Sequence, residues 1–186
     1  MADKYVDIDT LKYMLYDVHK LEDLLERERF VDHDKESLDM FLESTKDFAD
    51  RELFPFIKEM DEKPAYHKDG KVYVHSQVET MMKKGGELGF ISASFDYDIG
   101  GMQIPLMAHT AATYILDAAN NHLPGYAGLT QGAAELIIHF ANKNLVETYV
   151  PEMLSGNWGG TMCLTEPQAG SSLSDIVTKA TPTDNG

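Results

Sequence analysis

The sequence predicts a mainly α chain, a helical bundle over about 155 residues followed by the opening of a β-rich region. Three observations carry this. Apolar residues recur at intervals of three and four through most of that length, which is the spacing of amphipathic helices. After Gly160 the period changes to two, with Met162 and Leu164, then Ile176 and Val177, reading as strand residues. The end, Thr181-Pro182-Thr183-Asp184-Asn185-Gly186, reads as a hairpin turn with no second strand after it, so the β region is expected to be incomplete and the chain a fragment.

The elements follow in order. Leu11, Met14, Leu15, Val18, Leu21, Leu24 and Leu25 predict one amphipathic helix over 9–29. Asp32-His33-Asp34 breaks it and offers Asp34 as N-cap, whose carboxylate can accept a free N–H of the next first turn. Leu38, Phe41, Leu42, Thr45, Phe48, Ala49, Leu53, Phe56 and Ile57 form a second stripe, and Pro55, lacking an N–H, should kink or end that helix. Residues 61–75 are polar and turn-rich, with Lys71-Val72-Tyr73-Val74 as a short extended piece. Ser76 and Glu79 have the spacing of a capping box, opening a helix that carries Val78, Met81, Met82 and Leu88 and weakens at Gly85-Gly86. A loop from Phe95 to Gly101 leads to Pro105, placed as the first residue of a helix ending near Ala119. Asn120-Asn121 breaks that helix. Two more are expected, from about Pro124 to Asn142 and from there to Leu154, stopping at Ser155-Gly156.

Composition narrows the function classes. The net charge is −15, with 9 basic and 17 acidic side chains in residues 1–60, so the acidity is spread and marks no tail. Such a surface argues against a broad basic face for nucleic acid or anionic membrane. The single cysteine, Cys163, excludes an internal disulfide and a multi-cysteine metal site, and fits a reducing cytoplasm. Placed in a strand, it is expected to be a buried, inert thiol. Met1-Ala2-Asp3-Lys4 is charged with no apolar run after it, so no leader is expected, and no apolar stretch approaches a membrane span. None of the seven histidines stands in a HExxH pattern and neither common glycine-rich phosphate motif occurs, so no metal site is assigned.

Residues 161–175 hold the most informative stretch. An alternating segment runs into Thr165-Glu166-Pro167 and then the small-residue loop Ala169-Gly170-Ser171-Ser172. Backbone N–H groups and hydroxyls near a strand end suit a large polar cofactor, although a Pro and a Gly there also mark an ordinary structural turn.

The string Met162-Cys163-Leu164-Thr165-Glu166-Pro167-Gln168-Ala169-Gly170-Ser171 resembles the flavin-binding signature of the acyl-CoA dehydrogenase family. Two other stretches are similar to that family: Leu88-Gly89-Phe90 through Gly100-Gly101, ahead of a Pro-started helix, and Phe140-Ala141-Asn142 through Leu154, with Pro151 slightly displaced. The resemblance covers residues 35–180. It implies an N-terminal extension over 1–34, as in the longer members, a helical-bundle domain over 35–156, and over 157–186 the first strands of an incomplete middle β-barrel domain.

Carried over by residue, the resemblance implies FAD as cofactor. Met162, where an aromatic is common, through Thr165 would pass along the flavin ring. The backbone of Leu164 and Thr165, with the Thr165 hydroxyl, would hydrogen-bond its pyrimidine side. Gly170 would let the backbone approach the pyrophosphate, and Ser171 would donate its hydroxyl there and touch the CoA part of the substrate. Glu166 and Pro167 would shape the turn. Ser172 departs from the family, which has Asp there; a serine can still cap the turn. The implied reaction oxidises an acyl-CoA to a 2,3-enoyl-CoA, a glutamate base taking the α-proton while the β-hydride goes to flavin N5. That base lies in the family's C-terminal helical domain, so no catalytic residue is assigned and it is expected beyond Gly186. The resemblance further implies a place in fatty acid metabolism, electron-transfer flavoprotein as electron acceptor, and a homo-oligomer at full length. A non-catalytic helical interaction module and a same-fold flavin oxidase or monooxygenase are the alternatives.

Overall fold

The computed structural model describes residues 5–183. Helix α1, Ile8–Tyr13, starts where the Asp7 carboxylate accepts the Thr10 N–H at 3.0 Å. A π-helical turn, Met14–Val18, follows, then α2, Leu21–Leu25, and a 3-10 turn, Glu28–Phe30. The single helix expected over 9–29 is therefore broken, at Lys20, which has a positive φ of 54°. Leu15 and Leu21 both reach the core; on a straight helix they would stand about 120° apart, and the break lets both turn inward. Tyr16 is anchored as well, its hydroxyl donating to Asp39 at 2.8 Å. Burial, then Asp39, pushes its phenol well above the ordinary value.

Helix α3, Lys35–Phe48, has the expected cap. Asp34 accepts the Ser37 N–H at 2.8 Å, and the Ser37 hydroxyl accepts the Asp34 N–H at 3.0 Å. It buries Leu38, Phe41, Leu42, Thr45 and Phe48. Pro55 ends the regular ladder as expected: a π-helical turn, Ala49–Leu53, and a 3-10 turn, Phe54–Phe56, lead into α4, Ile57–Glu62. Two side-chain amides bond carbonyls at this break. Gln77 donates to the Glu52 carbonyl at 2.9 Å and the fully buried Asn120 to the Leu53 carbonyl at 3.0 Å.

A hairpin follows, β1, Tyr66–Lys68, paired antiparallel with β2, Lys71–Tyr73, through Asp69-Gly70, both at positive φ. The sequence signalled only its second strand. Helix α5, Gln77–Glu87, does not open with a capping box. Ser76 is itself helical and its hydroxyl caps nothing; the Gln77 N–H is taken by His75 Nδ1 at 3.1 Å, and Glu79 pairs with Lys83. The helix runs on through Gly85-Gly86. Then come α6, Leu106–Asn120, just after Pro105, and α7, Pro124–Phe140. Helix α8, Lys143–Leu154, starts where Asn142 accepts the Leu145 N–H at 3.1 Å.

Helix α3 packs on α6, α7 on α8, and α5 on α7. Leu38, Leu42, Leu53, Met81, Ile91, Ile115, Leu123 and Val150 fill the space between them. Among the described residues no helix is long and apolar enough to cross a membrane, and no cluster could hold a metal ion.

After Gly160 the sequence reading is corrected. Met162, Leu164, Ile176 and Val177 lie in no strand; the sole pairing among the described residues of this region is a bridge between Glu166 and Ala169. A strand is defined by a partner's ladder, and residues 161–165 have none beside them. The expected terminal hairpin turn runs into residues 184–186, which lie outside the described residues.

Candidate functional site

The segment of interest leaves the bundle through a narrow exit. Gly156 has a φ of 77° and passes so close to α5 that a Cβ there would stand 1.9 Å from the Met82 carbonyl oxygen. At Gly160 a Cβ would stand 2.6 Å from that of Ala133. The Gly160 N–H donates to the Thr130 hydroxyl oxygen at 3.0 Å, and that hydroxyl donates to the Tyr126 carbonyl at 2.7 Å. Residues 155–160 are thus clamped between α5 and α7, which fixes where residue 161 emerges. Beside this exit lies a cleft of about 410 Å³, with Val78, Met82, Tyr126, Thr130 and Thr161 in its walls.

Met162, Leu164, Thr165, Gly170 and Ser171 do not line that cleft; they lie on the open surface beyond it, Met162 57% exposed and Leu164 39%. Among the described residues the N–H groups of Leu164 and Thr165 donate to no protein acceptor. Cys163 is exposed as well, correcting the buried thiol expected of a strand.

The loop that follows is ordered by its own bonds. Glu166 and Ala169 exchange two backbone hydrogen bonds, of 2.8 and 3.2 Å, around a tight turn, and Ala169 is buried beneath it. The Glu166 carboxylate accepts the N–H groups of Val177 and Thr178, each at 2.9 Å, together with the Thr178 hydroxyl and the Gln168 side-chain amide. These donors, the Thr178 hydroxyl foremost, hold its carboxyl down at about 2. The turn also folds Gly170 back onto Thr165, where a Cβ on Gly170 would lie 3.9 Å from the threonine methyl. Thr165 and Gly170 are therefore brought together, and Ser171 follows on the exposed loop. Ser172 precedes a 3-10 turn, Leu173–Asp175, but its hydroxyl makes no capping bond, contrary to expectation.

Two residues of this architecture went unassigned in the sequence. Glu166 reads in the sequence only as turn-shaping, because its partners Val177 and Thr178 stand eleven and twelve positions away, where no local pattern points. Thr130 sits on the buried face of α7 with Ala127 and Ala134 and reads there as helix filler.

Comparison with known proteins adds to this geometry. Residues 35–157 match the family described as acyl-CoA dehydrogenase, N-terminal domain. The 3-methylmercaptopropionyl-CoA dehydrogenase of Ruegeria pomeroyi is 31% identical over 145 residues, which cover 78% of this chain and 25% of that protein. A crystal structure of glutaryl-CoA dehydrogenase from Mycobacterium smegmatis superposes with a TM-score of 0.69 at 20% identity, over 80% of this chain and 36% of the other. A chain from a structure of the electron transferring flavoprotein of Acidaminococcus fermentans gives a TM-score of 0.57 at 24% identity, over 77% and 35%. This chain thus spans about a quarter of the length of the Ruegeria relative. It belongs to the acyl-CoA dehydrogenase family and carries that family's N-terminal helical domain.

Proposed function

We propose that the chain is the N-terminal part of an FAD-dependent acyl-CoA dehydrogenase, which oxidises an acyl-CoA to the 2,3-enoyl-CoA. The observation that carries this reading is the exposed segment from Met162 to Ser171, with free N–H donors at Leu164 and Thr165 beside Gly170. A flavin needs donors for its ring edge and an approachable, donor-bearing backbone for its diphosphate, and this segment offers both. FAD, when bound, supplies the acceptor for the substrate's β-hydride.

The residues then take these roles. Leu164 and Thr165 donate backbone N–H groups to the pyrimidine side of the ring, aided by the Thr165 hydroxyl, and Met162 lies along the ring. Gly170 has no side chain to hold the diphosphate off, and the Ser171 hydroxyl donates to it or to the CoA portion of the substrate. None of these groups takes the α-proton; that base is proposed to lie beyond Gly186. Electron-transfer flavoprotein as acceptor, a homo-oligomeric complete protein and a cytoplasmic setting belong to the same proposal. The test is the complete gene product: purified, it should be yellow and reduce a dye with an acyl-CoA, while the 186-residue chain gives no turnover. Turnover by the chain alone would overturn the placement of the base.

A further inference from the structure

We infer that Glu166 is a positioning residue of the proposed cofactor segment: its carboxylate clasps the turn after Thr165 to residues 177 and 178, and so fixes where Gly170 and Ser171 stand relative to Leu164 and Thr165. The role assigned to that segment is the proposed function; the clasp itself stands on geometry alone.

The loop from 166 to 178 has almost no other means of holding its shape. It forms no strand ladder, and its side chains are exposed apart from the half-buried Glu166 and Ile176 and the buried Ala169. Its local backbone bonds, within 166–169 and 171–176, close small turns and do not bring its ends together. Among the described residues only the Glu166 carboxylate does that. One oxygen accepts from Thr178 N–H and hydroxyl, the other from Val177 N–H and the Gln168 amide. A carboxylate suits this place because both its oxygens are acceptors and all four groups facing it are donors. An amide would turn its own NH₂ group toward one pair of donors. The same four bonds disperse the negative charge, which otherwise would repel a diphosphate lying along Gly170 and Ser171. The strongly lowered carboxyl of Glu166 agrees with this donor set.

The test uses Glu166→Gln, with Thr178→Val as the milder companion, and two readouts. Amide hydrogen exchange in the chain reports the clasp: Val177 and Thr178 should exchange roughly tenfold faster or more in Glu166→Gln, and less so in Thr178→Val. FAD affinity of the complete gene product reports positioning. It should weaken about tenfold or more in Glu166→Gln with the urea midpoint of the apoprotein unchanged, since Glu166 lies outside the core. A purely structural role would instead lower the apoprotein midpoint along with affinity. Unchanged exchange at Val177 and Thr178 overturns the clasp. Faster exchange with undiminished FAD affinity overturns the positioning role. A wild-type protein that binds no FAD removes the cofactor reading and the positioning role together, while the exchange result still decides the clasp.

Discussion

Substituting alanine for two glycines should move stability in opposite directions. At Gly156 the backbone φ is 77°, and the added Cβ would stand 1.9 Å from the Met82 carbonyl oxygen and 2.6 Å from its carbon. The left-handed conformation costs an L-residue about 1–2 kcal/mol. The contact falls more than an ångström short of an ordinary carbon–oxygen approach of about 3.3 Å. The obstacle is backbone in the middle of α5, so relief requires moving the helix or the connector, for which overpacking costs of about 1–3 kcal/mol apply. Together these predict a loss of about 2–5 kcal/mol, a large share of the ~5–15 kcal/mol that holds a domain folded. Gly128, exposed on α7, has nothing within 4 Å of the position its Cβ would take. There alanine should stabilise by about 0.5–1 kcal/mol through helix propensity. Urea denaturation followed by far-UV circular dichroism measures both. Gly156→Ala should lower the midpoint by about 1–2.5 M for a slope near 2 kcal/mol/M, and Gly128→Ala should raise it slightly. A Gly156→Ala chain as stable as wild type would refute the clamp between α5 and the connector.

Two further outcomes follow from the core. Asn120→Leu preserves bulk but leaves the Leu53 carbonyl without its donor, and should cost about 1–3 kcal/mol in the same urea assay; an equally stable variant would show that this carbonyl finds another partner. His109 is only 8% exposed, and burial pushes its pKa below the ordinary 6.5, against a weaker raising effect from the Phe90 carbonyl. Its neutral form is the one packed, so its contribution is present above pH 6.5 and is lost as pH falls through the lowered folded value. Wild type should therefore lose stability below pH 6.5 more steeply than His109→Gln, and parallel pH profiles would contradict this.

Much of the bundle was legible because its signals are local. Asp34 and Asn142 cap helices with their own side chains, Pro55 removes an N–H wherever it stands, and the three-and-four spacing of α3 and α7 survives any tertiary setting. What failed depended on partners distant in sequence. Lys20 carries no glycine or proline signal; the break there goes with Leu15 and Leu21 both entering the core. Ser76 had the spacing of a cap, but His75 reached the Gln77 N–H instead. In the candidate site, the family motif grouped Leu164, Thr165, Gly170 and Ser171 in one cofactor segment, and the turn brings Gly170 to Thr165. Its alternating residues did not make strands, because alternation describes which face is apolar and cannot supply a neighbouring ladder. Cys163 was expected inside for the same reason and lies outside.

The most direct measurement is the flavin content of the complete gene product beside its Gly170→Val variant. A Cβ at Gly170 meets only the Thr165 methyl, at an ordinary 3.9 Å, so this chain leaves room for a side chain there, and an approaching ligand would be blocked by it. Wild type should be yellow with stoichiometric FAD, and the variant largely colourless, while the two apoproteins melt at the same temperature. A colourless wild type, or a Gly170→Val protein that keeps its FAD, would contradict the claim that residues 162–171 place a flavin.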